Sequence, residues 1–160
     1  MNSKGHYLAE SQSVNPAVRT PYSLNSIPGA YERRVFVGGA YRYGALLKVI
    51  ARAIEECGFI PILAFQFDIP RDTERHFCLR LLKKCKFTVF EASLDAGWMI
   101  ELDWAHQYKK QALSLWDEMQ GDEPRITSLV KSNETFRKNN KKYSTIRDLE
   151  SHIYDFLRDK

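Results

Sequence analysis

The stretch RRVFVGGAYRYGALLKVIARAIEECGFIPILAFQF, residues 33–67, joins two apolar segments through a segment of helical periodicity. Val35–Val37 forms a short β-branched and aromatic run that the pair Gly38–Gly39 ends. This pattern is typical of a buried strand followed by a tight turn. Residues 45–58 then place apolar side chains on one helix face, and residues 59–67 form a second apolar strand. A strand, a helix and a strand in this order predict a βαβ unit of a parallel sheet.

The same alternation continues to the end of the chain. Four further segments follow in order, namely a helix at 73–85, a strand at 87–93, a helix at 97–108 and a strand at 111–118. A final helix over residues 144–160 takes Ser144 or Thr145 as its cap. Continuously apolar strands are buried on both faces. We therefore predict an α/β fold with a doubly wound parallel sheet of four or five strands, a flavodoxin-like or Rossmann-like three-layer sandwich.

The first part of the chain differs from the rest in composition. Residues 1–31 are rich in Ser, Asn, Pro and Gly and show no sustained period, so we predict a loosely ordered N-terminal arm. A single α/β domain over residues 32–160 follows the arm. The whole chain of 160 residues is long enough to bury one core.

Composition excludes several classes of protein. Hydrophobic residues make up 44% and charged residues 28% of the chain, so neither a fibrous nor a wholly disordered protein is indicated. No apolar run approaches the roughly 18 to 20 residues that span a bilayer. The N-terminus lacks a basic segment followed by an apolar one, so we expect no secretory signal. Three cysteines without zinc-type spacing indicate a reduced, cytoplasmic protein with no metal site. We also expect no cofactor and, in the absence of a long apolar run, no membrane partner.

The net charge of +4 is mildly basic, and much of it comes from the run Arg137–Lys142. A solvated loop explains this run more simply than nucleic-acid binding does, because aromatic residues are not interleaved with the cations. On this ground we expect no nucleic-acid partner.

The turn after the first strand offers several groups to a ligand. In parallel sheets, ligands bind outside the carboxyl ends of the strands. Gly38 and Gly39 let the backbone approach a ligand there, while Arg42 offers a cation and Tyr41 and Tyr43 offer stacking surfaces. The spacing is neither GxGxxG nor a Walker loop, and a tight turn without a ligand explains the glycines equally well.

A lone carboxylate interrupts the apolar run DAGWMIELDWA, residues 95–105. Glu101 lies about one turn into the helix that follows the third strand, where its carboxylate can point toward the same crevice. A helix-surface glutamate is the equally weighted alternative. Asp95, just before the helix, fits either an N-terminal cap or an acid that assists Glu101.

The stretch CKFTVFEASLDAGWMIELDWAHQYKKQALSLWDE, residues 85–118, resembles nucleoside 2-deoxyribosyltransferase-like proteins. In that family a strand leads through an acidic, glycine-bearing loop into a helix that carries the catalytic glutamate. The matching positions are Gly97, Glu101, Leu102 and Ala105. The stretch VFVGGAY, residues 35–41, resembles the family's opening strand and turn, and the likeness extends over about residues 34–157.

The resemblance implies cleavage or transfer at an N-glycosidic bond, with Glu101 as nucleophile or sugar-positioning carboxylate. Asp95 or Asp68 would assist, and Gly97 and Trp98 would contact the substrate, a nucleoside, nucleotide or dinucleotide. The pattern of Trp98 followed by Glu101 is similar to that of Toll/interleukin-1-receptor (TIR) domains of the same superfamily, whose enzymatic members cleave NAD. Shared active sites in related families imply a homo-oligomer.

Three positions depart from the family's pattern. Lys86 replaces an acidic residue near the start of the third strand, Ala40 replaces a proline in the first turn, and Asp103 replaces a small glycine. Three function classes therefore stay open: a glycosidase or transferase that uses Glu101, a nucleotide-binding sensor or signalling module of TIR-like fold, and an adapter whose helices serve protein contacts.

Overall fold

The computed structural model describes residues 20–21, 27–68, 74–93, 97–120 and 133–160. Five strands form one parallel sheet, and they are β1 Arg34–Gly38, β2 Ile60–Leu63, β3 Phe87–Glu91, β4 Gln111–Asp117 and β5 Asn140–Tyr143. Their order across the sheet is β2-β1-β3-β4-β5, which is the flavodoxin-like order. The predicted doubly wound parallel sheet is confirmed.

Helices cover both faces of this sheet. In chain order they are α1 Gly44–Glu56, α2 Glu74–Lys83, α3 Trp98–Gln107, the short α4 Glu134–Lys138 and α5 Ile146–Leu157. Apolar side chains of α1 and α5 pack on one face, and those of α2 and α3 pack on the other. Thr145 caps α5, and its side chain accepts a hydrogen bond from the Asp148 amide. None of the described helices is long and apolar enough to cross a membrane.

The strands β1 and β3 contribute side chains to the apolar clusters on both faces of the sheet, because successive side chains of a strand point to opposite faces. Val35 and Val37 belong to the cluster under α1 and α5, whereas Phe36 between them belongs to the cluster under α2 and α3. In β3, Val89 and Phe90 divide in the same way. This alternation decides which helix each residue at a strand's end meets.

The second strand is shorter than the predicted strand at 59–67. It ends at Leu63, and a 3₁₀ helix over Ala64–Gln66 follows, at whose start the Gln66 side chain accepts a hydrogen bond from the Leu63 amide at 3.2 Å. Beyond this turn, Phe67–Asp68 pairs in parallel with Thr20–Pro21.

Among the described residues, core packing extends back to Ile27, a few residues before the expected domain boundary at 32. The Ile27 side chain is 6% exposed and belongs to the cluster under α2 and α3. The Arg34 guanidinium donates hydrogen bonds to the carbonyls of residues 27–29, which fastens this segment to the start of β1. The N-terminal arm itself, up to residue 26, lies outside the described residues except for Thr20–Pro21.

Truncation of Ile27 tests this anchoring. The Ile27→Ala variant should lower the free energy of unfolding by about 2 kcal/mol or more, because it empties a buried aliphatic site. Ile100 is 42% exposed, so Ile100→Ala is a matched control that should cost less than about 0.5 kcal/mol. Urea-unfolding midpoints measure both changes. Equal midpoints for the two variants would show that residue 27 contributes nothing to the core in solution.

Candidate active site

The last residue of β1 lies against the carboxylate of α3. Gly38 follows Phe36 by two residues and therefore faces α3. A Cβ built on Gly38 would lie 2.6 Å from Glu101 Oε2 and 2.7 Å from Phe90 Cδ1. The absence of a side chain at Gly38 is therefore what allows Glu101 to reach the end of β1. The structure brings together two of the residues that the sequence selected for one crevice.

This contact lies where the strand order reverses. Gly38 pairs with Phe90 across β1 and β3, and the chain leaves β1 toward β2 on one side before crossing to β3 on the other. Such a switch point opens a crevice at the carboxyl ends of the strands, and ligands of doubly wound sheets bind there. Glu101 lies beside the position where the fold favours a ligand.

The start of α3 presents Glu101 in its first turn. Gly97 is the N-cap residue, and its carbonyl accepts hydrogen bonds from the amides of Ile100 at 3.0 Å and Glu101 at 3.2 Å. A carboxylate in the first turn is favoured by the positive end of the helix dipole. A Cβ added at Gly97 would meet nothing within 4 Å, so packing among the described residues does not require glycine at this position.

A second carboxyl group, which the sequence analysis did not select, is buried at the end of β3. Glu91 is fully buried, and its Oε1 accepts hydrogen bonds from the Ser93 hydroxyl and, at 2.8 Å, from the Tyr143 hydroxyl. Ser93 Oγ in turn accepts the Asp117 amide at 2.7 Å. These bonds tie the carboxyl ends of β3, β4 and β5 together. Glu91 Oε2 is buried without a hydrogen-bond partner among the described residues.

Burial raises the pKa of the Glu91 carboxyl, the hydrogen bonds from Ser93 and Tyr143 offset part of this rise, and the charge of Asp117 adds to it. Burial and the neighbouring Glu91 also raise the pKa of the Tyr143 hydroxyl, so Tyr143 remains a donor.

Glu91 follows Phe90 and therefore points to the face opposite Glu101. The Glu91 Cβ lies 3.2 Å from where a Cβ at Gly39 would be. Gly38 therefore lies against Glu101 on one face of the sheet, and Gly39 lies against Glu91 on the other.

The other predicted site residues have different surroundings. Arg42 is exposed in the 3₁₀ helix between β1 and α1, whereas Tyr43 is buried in the core. Trp98 is 1% exposed and packs in the cluster under α2 and α3. In this structure neither buried ring offers an open face to a base. Asp95 and the side chains of Tyr41 and Asp68 lie outside the described residues.

The sequence contains one signal for Glu91. A carboxylate that closes the apolar run FTVFE, residues 87–91, needs a polar partner if the strand is buried. Tyr143 supplies that partner from a strand 52 residues further along the chain. Tyr143 could be identified only once the strand order was known.

The described residues hold no group of three His, Cys, Asp or Glu side chains placed to bind a metal ion. All three cysteines are free, and Cys78 and Cys85 are buried.

Comparison with known proteins identifies a structural neighbour. No family model matches the sequence, and no curated protein matches it. Among solved structures, the chain is similar to the CMP N-glycosidase BcmB of Clostridium botulinum, with a TM-score of 0.56 and 17% sequence identity. The similarity covers 77% of this chain and 98% of BcmB. At this identity the likeness shows that the two proteins share a fold.

Substitution of the two glycines tests the contact at Gly38. The Gly38→Ala methyl would overlap Glu101 and Phe90, so this variant should lose about 1 to 3 kcal/mol of unfolding free energy. Gly97→Ala is the matched control, and it should leave stability within about 0.5 kcal/mol because its methyl meets open space. Chemical denaturation measures both. If Gly38→Ala is as stable as Gly97→Ala, the close contact is absent in solution.

The Glu91 carboxyl predicts a pH dependence of stability. A raised pKa in the folded state means that the contribution of Glu91 is complete below its ordinary value of 4.5 and is lost as pH rises through the folded-state value. Glu91→Gln is neutral at every pH. The unfolding free energy of the wild type should therefore fall relative to that of Glu91→Gln as pH rises above about 4.5. Parallel curves for the two proteins would show that Glu91 has an ordinary pKa.

Proposed function

We propose that the protein cleaves the N-glycosidic bond of a nucleoside, nucleotide or NAD-type substrate and passes the glycosyl group to water or to another acceptor. Glu101 is the proposed catalytic residue. The observation that carries this proposal is the position of its carboxylate, 2.6 Å from where a Cβ at Gly38 would be, at the switch point of the sheet. The fold shared with a CMP N-glycosidase supports the same reaction class.

The chemistry requires a carboxylate near the sugar. As the bond between the anomeric carbon and the base nitrogen breaks, its electron pair goes to the nitrogen and positive charge develops on the carbon. A carboxylate can stabilise this charge, or it can attack the carbon to form a glycosyl ester that water then hydrolyses. Water or the other acceptor then adds to the anomeric carbon and gives up a proton, and the Glu101 carboxylate is regenerated.

The leaving base must receive a proton unless it already carries a positive charge, as nicotinamide does in NAD. We propose that Asp95 or Asp68 assists, either as the proton donor or as an acceptor for a sugar hydroxyl. Glu91 is fully buried, and through its bonds to Ser93 and Tyr143 it holds the floor of the crevice in place. We assign Glu91 a positioning role in this proposal.

A phosphate group of the substrate would suit the start of α1. This helix of 13 residues begins directly after the turn that carries Arg42, and its N-cap residue Tyr43 makes no side-chain cap hydrogen bond. Amides in a first helical turn bind anions well, since they combine unused donors with the positive end of the dipole. Together with the Arg42 cation, they support a 5′-phosphate or pyrophosphate at this position.

The alternative is a nucleotide-binding module of the same fold that does not cleave its ligand. The departures at Lys86 and Ala40 favour it. Lys86 lies before the first residue of β3, with its ammonium 5.3 Å from the Phe87 ring centroid, and is thus at the opposite edge of the sheet from Glu101. Its effect on a ligand at the carboxyl edge is therefore indirect.

Homo-oligomerisation stays a prediction. Of the two tryptophans on α3, Trp98 is buried within the subunit, and Trp104 is half-buried with the Arg75 guanidinium 5.9 Å above its ring.

Incubation of the purified protein with CMP, a panel of deoxynucleotides and NAD, followed by chromatography of the released base, tests the reaction. Glu101→Gln retains the shape of the side chain and removes its charge, so it should lower base release at least about 100-fold. Asp103→Asn, two residues further along α3, is the matched control for loss of one charge and should retain near wild-type rates.

Calorimetric titration of Glu101→Gln with the same compounds separates the two functions. Catalysis by Glu101 predicts that the variant still binds substrate while base release is lost. Binding without base release by the wild type would favour the non-catalytic module. A wild-type rate in Glu101→Gln would show that Glu101 has no catalytic role.

A further inference from the structure

Three loops at the amino edge of the sheet, opposite the candidate active site, are strongly basic. They lead into β1, β3 and β4, which are neighbours in the sheet. Their sequences are YERR at 31–34, KKCK at 83–86 and YKK at 108–110. We call these three segments the basic edge. They hold seven cations and one carboxylate, a net charge of +6, whereas the whole chain has a net charge of +4.

No ion pair with a described carboxylate neutralises this charge. The ion pairs among the described residues involve cations elsewhere in the fold: Arg52, Lys138, Lys142 and Arg158. The one carboxylate within the basic edge is that of Glu32, which lies exposed in a 3₁₀ helix. The field of the basic edge is therefore directed to solvent, where it can attract an anionic partner.

Some of these cations have structural roles. Arg34 donates hydrogen bonds to the carbonyls of residues 27–29 and to the carbonyl of Lys84 at 3.3 Å. The Lys110 ammonium donates to the carbonyl of Lys83 at 3.1 Å and to the Tyr31 hydroxyl at 3.0 Å. These bonds satisfy backbone carbonyls at the ends of helices and loops, and they make the basic edge a defined surface.

Lys84 and Lys109 have no such role. Both side chains are exposed, and their ammonium groups contact no acceptor among the described residues. Lys109 also has a φ of +53°, and no other described non-glycine residue has a positive φ. Glycine or asparagine is the usual residue in this conformation after a helix, and other residues adopt it at a cost of about 1 kcal/mol. The exposed Lys109 side chain adds its charge to the basic edge and does not pack in the core.

Two aromatic rings lie among these cations. Tyr31 is 42% exposed and Tyr108 is 43% exposed. The Lys110 ammonium is 4.9 Å from the Tyr31 ring centroid, and the Lys83 ammonium is 4.5 Å from that of Tyr108. Exposed aromatic rings beside cations are the combination that proteins use to bind single-stranded nucleic acid, because bases stack on the rings while the cations contact phosphates.

We propose that the basic edge binds single-stranded nucleic acid. Its cations neutralise backbone phosphates, and Tyr31 and Tyr108 stack on unpaired bases, so binding does not depend on sequence. An acidic protein or an anionic membrane would use the cations but would not require the two tyrosines. The proposal departs from the expectation drawn from the run Arg137–Lys142, because the basic edge is assembled by the fold from three segments that are distant in sequence.

Fluorescence anisotropy with a fluorescein-labelled 20-nucleotide oligothymidine tests the proposal in the full-length protein. Binding should weaken as salt rises, with a log–log slope of about −0.7 for each phosphate neutralised. The double variant Lys84→Gln/Lys109→Gln should weaken binding about tenfold at low salt and should reduce the steepness of the slope by about 1.4.

Lys48→Gln/Lys141→Gln is the matched control. Lys48 lies on α1 and Lys141 lies on β5. Both side chains are exposed and form no hydrogen bond or ion pair with the described residues. This control loses the same charge and should change binding less than twofold. Equal weakening in the two double variants, or no binding by the wild type at 50 mM salt and tens of micromolar protein, would overturn the proposal.

A second variant tests the stacking. Tyr31→Leu/Tyr108→Leu, checked for an unchanged melting temperature, should weaken oligothymidine binding at least about fivefold and leave polyglutamate binding unchanged. If the tyrosine change has no effect, or if polyglutamate or anionic phospholipid vesicles bind as tightly as oligothymidine, the partner is not a nucleic acid. Glu101→Gln should bind oligothymidine like the wild type, so this outcome is independent of the glycosidase proposal.

Discussion

The two-residue period of β1, ended by two glycines, is the constraint on which the candidate site depends. Because Val37 faces α1, the next residue must face α3, and a side chain there would collide with Glu101 and Phe90. Gly39 is limited in the same way from the other face, where a Cβ would lie 2.8 Å from Leu47 and 3.2 Å from Glu91. The end of β1 therefore separates two carboxyl groups that belong to different layers of the sandwich.

Parallel strands also divide the charge of the molecule between two edges. Every strand starts at one edge of the sheet and ends at the other. Glu91, Glu101 and Asp117 lie near the strand ends, and lysine and arginine side chains lie near the starts of β1, β3 and β4. The preceding helices end at the amino edge, where cations stabilise the negative end of the helix dipole. A ligand with a developing positive charge and a polyanion would thus approach the protein from opposite sides.

Local pattern predicted most of the fold, because strand and helix differ in period and these segments are long enough to show it. It predicted Glu101 beside the first glycine turn, since parallel strands end at one edge. The Glu91–Tyr143 contact was missed because it depends on β5 lying beside β4, and no local pattern contains strand order. The burial of Tyr43 and Trp98 was missed for a related reason: an aromatic residue at a loop end faces solvent or core according to how the next helix packs.

The bond between Tyr143 and Glu91 has a consequence for synthesis of the chain. The two residues lie 52 positions apart, and Tyr143 belongs to β5, the last of the five sheet strands in chain order. A nascent chain that stops before residue 140 contains the residues of β1 to β4, yet its Glu91 carboxyl lacks the Tyr143 donor. Domains generally fold as units, so the hydrogen bonds that hold the Glu91 carboxyl can be completed only after β5 has been synthesised.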